Sequence, residues 1–281
     1  MTVKIIAVDM DGTFLNNDKK YNKTRFLQQY QQLKQRGIHF VVASGNQYAT
    51  LQHYFPEIKD EIAFVAENGA YVIDANQEVA FAHFPKKLVN SMQQQLVQLY
   101  RGSVILCGKN GAYIDANVPK ENLEKLAKYF KQLQQVTDFS GVDDQICKIT
   151  LDTRNFDFEP MYQRLEQLDF IVQGHVKMVS SGFGFIDFIV PNQHKANGLK
   201  QLQQRWNVSN QQILAIGDNF NDLEMLQHAG FGFAVANAVD ELKQAADFVT
   251  LKTNEEEAVL DVIDQVLHAT FPFNKAQQKS A

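Results

Sequence analysis

At 281 residues the chain exceeds what one hydrophobic core usually organises, and its 45% hydrophobic and 21% charged residues exclude a disordered or fibrous polymer. A formal net charge of -5 excludes the basic footprint that nucleic acid or an anionic membrane surface rewards, so a small molecule is the expected partner. Cys107 and Cys147 stand outside any zinc-ligand spacing and are expected as reduced core thiols; with no basic leader and no apolar run of bilayer length, the protein reads as cytoplasmic.

In chain order, residues 3–8 form a short apolar run, the pattern of a parallel strand covered on both faces, and it ends in Asp9-Met10-Asp11-Gly12-Thr13. Residues 24–36 keep apolar positions at helical spacing up to Gly37, and a second apolar run, 39–43, ends in Ser44-Gly45-Asn46. A third, 62–66, ends in Glu67-Asn68-Gly69, and 71–81 reads as a hairpin turning at 74–77. The rhythm then changes. Helices expected over 86–101, 119–134 and 157–167 alternate with strands expected near 104–107, 112–114, 146–151, 170–172 and 184–190. After Pro191 the first pattern resumes with a helix over 195–205 and a strand over 213–216 that runs into Gly217-Asp218-Asn219. A helix near 221–228, a strand near 232–235, a helix near 238–245, a short strand at 248–250 and a last helix complete the chain. The expected class is α/β: a Rossmann-like, doubly wound parallel sheet from residues 1–83 and 190–281, interrupted by an inserted α+β cap domain over 84–189 with an antiparallel sheet.

Ligands of open α/β sheets bind outside the carboxyl ends of the strands, so Asp9/Asp11, Ser44/Gly45 and Asp218/Asn221/Asp222 are expected to converge. A phosphate dianion there meets carboxylate repulsion, which calls for a divalent cation, and oxygen-only ligands suit Mg2+. An Asp carboxylate can attack phosphorus, dividing hydrolysis into two easier displacements. Two residues apart at an extended strand end, Asp9 and Asp11 are expected to face the same side, with Asp9 attacking and Asp11 moving the proton while Gly12 turns the chain away. Ser44, placed at a helix start, offers its hydroxyl and the N–H groups that follow it to phosphoryl oxygens, and Lys195 neutralises the transferring group.

At these residues the sequence resembles the haloacid dehalogenase superfamily, specifically its Cof-type members with a large α/β cap between the second and third motifs. The first motif is Asp9-Met10-Asp11-Gly12-Thr13, the second Ser44-Gly45-Asn46, the third Lys195 in Pro191-Asn192-Gln193-His194-Lys195, and the fourth Gly217-Asp218-Asn219-Phe220-Asn221-Asp222. Glu67-Asn68-Gly69-Ala70 and Val235-Ala236-Asn237-Ala238 are supporting local matches. The resemblance implies Mg2+ held by Asp9, the backbone carbonyl of Asp11 and Asp218, with Thr13 and Asp222 behind them. It places Ser44, Gly45, Lys195 and Asn221 against the substrate. Where Thr-Gly-Arg often stands in this subfamily, Ser44-Gly45-Asn46-Gln47 resembles the branch of sugar-phosphate phosphatases, so the expectation is a Mg2+-dependent phosphatase of sugar phosphates working through an aspartyl-phosphate on Asp9.

Two other functions share these residues: a phosphomutase or phosphotransferase that passes the phosphoryl group to a second hydroxyl, and a non-catalytic phosphate-binding regulator. A dinucleotide-binding oxidoreductase is disfavoured, since no Gly-x-Gly-x-x-Gly follows a strand. His175 and His194 are assigned no chemistry. Tyr113, Phe183 and Phe185 are candidates for lining a pocket in the inserted segment, against the plainer alternative that they are core. Hinges are expected near 82–85 and 189–192.

Overall fold

A computed structural model describes residues 2–100, 102–182, 184–270, 272 and 273. The strands, in chain order, are β1 (Ile5–Val8), β2 (His39–Ala43), β3 (Ala63–Ala66), β4 (Tyr71–Asp74), β5 (Gln77–Phe81), β6 (Val104–Gly108) and β7 (Ala112–Asp115). They continue with β8 (Leu133–Val136), β9 (Ile146–Asp152), β10 (Lys177–Gly182), β11 (Phe185–Ile189), β12 (Ile213–Gly217), β13 (Phe231–Ala234) and β14 (Phe248–Val249). The chain separates into two units: one takes residues up to 44, 55–79 and 194 onward, the other 45–54 and 80–193.

The eight-stranded sheet runs in the order β14-β13-β12-β1-β2-β3-β4-β5, parallel from β14 to β3 and antiparallel from β3 to β4. β1 lies inside it, registered on one side with β12 (Ile5 opposite Ile213) and on the other with β2 (Ile5 opposite His39). Its side chains are fully buried, as expected of a strand covered on both faces. The helix Lys23–Gln35 turns Phe26, Tyr30 and Leu33 inward at helical spacing, and the Asn22 side chain caps it by accepting from the Arg25 N–H. Phe26 packs edge-on against Phe14 and Phe55. Arg25 bonds Glu257, Asp261 and Asp264, tying that helix to the helix Ala258–His268.

In the second unit the six-stranded sheet runs β10-β11-β9-β6-β7-β8, antiparallel except for the β7–β8 pair. Leu106, Ile149, Leu151, Ile186 and Phe188 join one core cluster with Val89, Met92 and Leu96 of the helix Lys86–Leu99. Ile105, Cys107 and Ile114 join another with Leu126, which ends the helix Lys120–Leu126. Both cysteines are buried. Residues 45–54 group here because Thr50 Oγ1 donates to the Tyr129 carbonyl and Lys148 Nζ to the Gly45 carbonyl.

Three local expectations are corrected. Phe170-Ile171-Val172, expected as a strand, lie in the short helix Asp169–Val172, beyond whose cap Gly174 takes φ +70°; the strand of this region is β10. Three apolar residues carry no period, so helix and strand were indistinguishable there. The helix expected to 134 stops at Leu126, because Leu133–Val136 is claimed by parallel pairing with β7. The helix Tyr48–Tyr54 was not anticipated. Tyr113 and Phe185 are buried core residues, Tyr113 with its hydroxyl on Asp144, while Phe183 lies outside the described residues. No helix among the described residues is long and apolar enough to cross a membrane.

Candidate active site

Asp9 directly follows β1, and its N–H continues the ladder to the Ile216 carbonyl at 3.0 Å. The chain then folds sharply: the Met10 carbonyl accepts from the N–H groups of Thr13, Phe14 and Leu15. Gly12 carries φ +82°, and a Cβ there would lie 2.5 Å from Asp218 Oδ2. Gly12→Ala therefore combines a left-handed backbone with a collision against a carboxylate. Stability is expected to fall by about 1–3 kcal/mol, measurable as a lowered urea midpoint.

Asp11 stands at the corner of that turn, where the Met10 carbonyl accepts from the Thr13 N–H. Asp11 Oδ1 meets Lys19 Nζ at 2.6 Å, in a partly exposed ion pair, while Asp9 faces inward. The carboxylates that converge are those of Asp9, Asp218 and Asp222, each offering an oxygen within 4.8 Å of the others.

Lys195 opens the helix Lys195–Trp206, and its ammonium is completely buried. It donates to Asp9 Oδ1 at 2.5 Å and to Asp222 Oδ1 at 2.7 Å, which rules out the ordinary solvated charge at a helix start. The other oxygen of Asp222 accepts from the N–H groups of Asp218 and Asn219 at 3.0 and 3.1 Å, so this carboxylate accepts from three protein donors. Asp218 Oδ1 accepts from the Thr13 hydroxyl at 2.8 Å, linking the first and fourth motifs.

Ser44 is placed differently from expectation. It follows β2 directly, donating its N–H to the Val65 carbonyl, and the next helix begins at Tyr48, so Ser44 does not open a helix. Its carbonyl accepts from the Asn68 N–H at 3.0 Å, and Asn68 Oδ1 in turn accepts from Asn221 Nδ2 at 3.3 Å. Gly45 presents its carbonyl to Lys148, a buried lysine that also faces Asp187 at 3.8 Å. Asn237, from the second local match, donates to the Gly12 carbonyl at 2.8 Å. Sequence reasoning missed Lys19 and Lys148. Lys148 left a usable signal, a cation inside the apolar strand Ile146–Asp152.

Electrostatically the cluster is one cation among three anions. Burial, with Asp222 and Asp218 adding repulsion, raises the Asp9 pKa well above the ordinary carboxylate value despite Lys195. Burial and then Asp222 raise that of Asp218. Desolvation by itself would lower the Lys195 pKa, but Asp222 and Asp9 more than reverse it and hold the ammonium charged. Excess negative charge on hard oxygen donors, with Asp9 and Asp218 less fully engaged than Asp222, suits a divalent hard cation.

The profile of the haloacid dehalogenase-like hydrolases matches residues 6–263. The 5-amino-6-(5-phospho-D-ribitylamino)uracil phosphatase YbjI of Escherichia coli K12 is 42% identical over 275 residues, covering 98% of this chain and 100% of its own. The putative phosphatase YxeH of Bacillus subtilis is 27% identical, over 95% of this chain and 99% of its own. Among solved structures, SMU.1108c from Streptococcus mutans UA159 gives a TM-score of 0.87 at 35% identity, with 95% of this chain and 100% of that one covered. The chain belongs to the haloacid dehalogenase-like hydrolases. Within that family it is a phosphatase, a phosphoric monoester hydrolase.

Proposed function

We propose that the protein hydrolyses the phosphate ester of a small phosphorylated sugar or sugar alcohol, with Asp9 as the covalent nucleophile. The observation that carries this reading is the buried Lys195 ammonium shared between Asp9 and Asp222 beside Asp218. A carboxylate held at the end of a central strand against one fixed cation is oriented for attack on an incoming phosphoryl group. Support for the substrate class comes from the Escherichia coli relative, named for a phosphate ester on a ribityl chain.

In the first step an Asp9 carboxylate oxygen bonds to phosphorus while the ester P–O bond breaks, and Asp11 gives its proton to the departing alkoxide. In the second, Asp11 takes a proton from water, the water oxygen bonds to phosphorus, and the acyl-phosphate P–O bond breaks to release inorganic phosphate and restore Asp9. Lys195 counters charge on the transferring group while Asp222 fixes the lysine. Ser44 and the Gly45 N–H bind phosphoryl oxygens. Asp9, the Asp11 carbonyl and Asp218 would hold Mg2+, which when bound would supply the positive charge that lets a dianion enter an acidic site.

Phosphate release from a panel tests the reading: 5-amino-6-(5-phospho-D-ribitylamino)uracil, hexose and pentose phosphates, nucleotides and p-nitrophenyl phosphate, each with Mg2+ and with EDTA. Fastest turnover is expected on the phosphorylated sugars and sugar alcohols, falling at least about 100-fold in EDTA. Preference for nucleotides would overturn the substrate class, and silence across the panel would overturn the chemistry.

A further inference from the structure

The turn after β3 is the most unusual stretch of backbone in the first unit. Glu67, Asn68 and Gly69 carry φ of 51°, 54° and 95°, three successive left-handed residues, of which the first is a glutamate with no intrinsic preference for that region. Such a conformation persists only where its surroundings hold it in place, and here they do. Glu67 and Asn68 are buried. Gly69 passes so close beneath the start of the Lys195 helix that any Cβ would run into the His194 carbonyl.

Asn68 therefore sits where three parts of the site meet. Its N–H holds the Ser44 carbonyl, its Oδ1 holds the Asn221 side chain, and its neighbour Gly69 packs under the helix that presents Lys195. Its own Nδ2 is buried and has no hydrogen-bond partner among the described residues. A buried amide donor left unpaired costs free energy, and such a group near a reacting centre calls for an account. Whichever amide donates across the Asn68–Asn221 pair, the other retains two N–H groups.

We propose that Asn68 is a positioning residue of the phosphoryl subsite. It fixes the Asn221 amide and the Ser44 carbonyl in one arrangement, so that the donors left over in the Asn68–Asn221 pair meet phosphoryl oxygens. The assignment rests on the phosphatase reading and adds to it a residue outside the four motifs that carry the chemistry. Its left-handed backbone explains the residue type: asparagine is among the few side chains that tolerate the conformation while bringing both an acceptor and a donor.

The test is a double-mutant cycle of Asn68→Gly with Asn221→Ala in the full-length protein, read by the Kd for inorganic phosphate in Mg2+ and by kcat/KM on p-nitrophenyl phosphate. Glycine accepts the left-handed backbone, so the urea midpoint is expected to stay near that of the unaltered protein while only the amide is lost. Each single variant is expected to weaken phosphate binding about tenfold, and the double variant to be no worse than the weaker single. Asn68→Asp keeps the shape and the acceptor but replaces the donor with negative charge, so it should bind phosphate more weakly than Asn68→Gly, a difference that a purely structural role would not produce. Should Asn68→Gly unfold early, the Asn68→Asp/Asn221→Ala cycle carries the same comparison. Additive effects, or phosphate binding equal to the unaltered protein, would overturn the assignment alone. Failure of the unaltered protein to release phosphate would overturn the phosphatase reading, and this assignment with it.

Discussion

Asp9→Asn is expected to lower turnover by on the order of 10^3-fold or more while leaving the protein as stable as before or more so. The loss follows from chemistry, since an amide cannot form the acyl-phosphate. The stability follows from the cluster. Asp9 is buried with Asp218 and Asp222 around a single lysine, and its pKa is raised, first by desolvation. A carboxyl whose folded pKa lies above its unfolded value contributes most below the unfolded value, and that contribution is lost as pH rises through the folded pKa. Without added metal, the variant should therefore gain on the unaltered protein as pH rises from the acid side. Urea midpoints of both at pH 5 and pH 8 check this, with a wider gap expected at pH 8. A variant less stable at both pH values would mean that Asp9 holds the fold together, contrary to the charge count.

Lys195→Met is expected to do the opposite to stability. It removes the ammonium bonded to Asp9 and Asp222 and leaves those buried carboxylates without its balancing charge, a change that typically costs about 3–5 kcal/mol. A lysine on the solvated face of a helix would cost at most about 0.5 kcal/mol on the same substitution, so the urea midpoint separates the two cases cleanly. Adding Asp222→Asn to Lys195→Met should recover part of the lost stability, because it removes one of the two anions that the lysine balanced. Turnover should stay absent in both, since Asp9 then has no partner to orient it. If Lys195→Met unfolded like the unaltered protein, the buried pairing would carry no weight.

The parts of the fold that were legible in the sequence were those with an unmistakable period or a rigid marker. β1, β2 and β12 are short apolar runs that end in charged or small polar residues, and their convergence follows from the one rule that ligands sit at the carboxyl ends of parallel strands. What escaped had a physical cause in each case. Asp11 pairs with Lys19 at the corner of a turn whose hydrogen bonds close on the Met10 carbonyl, and the Asp-x-Asp spacing says nothing of a lysine eight residues on. β8 is polar at its centre, Gln134-Gln135, and becomes a strand only because β7 pairs with it, a tertiary cause that overrides local pattern. Asn68 was visible as part of a local match, yet its role depends on a side-chain partner 153 residues away.

The place of β1 inside the sheet has a consequence for how the protein is made. One edge of β1 pairs with β2 as soon as the first few dozen residues have emerged, but the other waits for Ile213–Gly217. At ribosomal speeds that delay is about 10–40 s, during which an apolar strand shows a bare edge of backbone donors and acceptors to any other nascent chain. The same wait leaves Asp9 without the lysine that neutralises it, since Lys195 is translated just before β12. The newborn chain is thus unfinished in two respects, and the arrival of a single late stretch closes the open edge and delivers the counter-charge together.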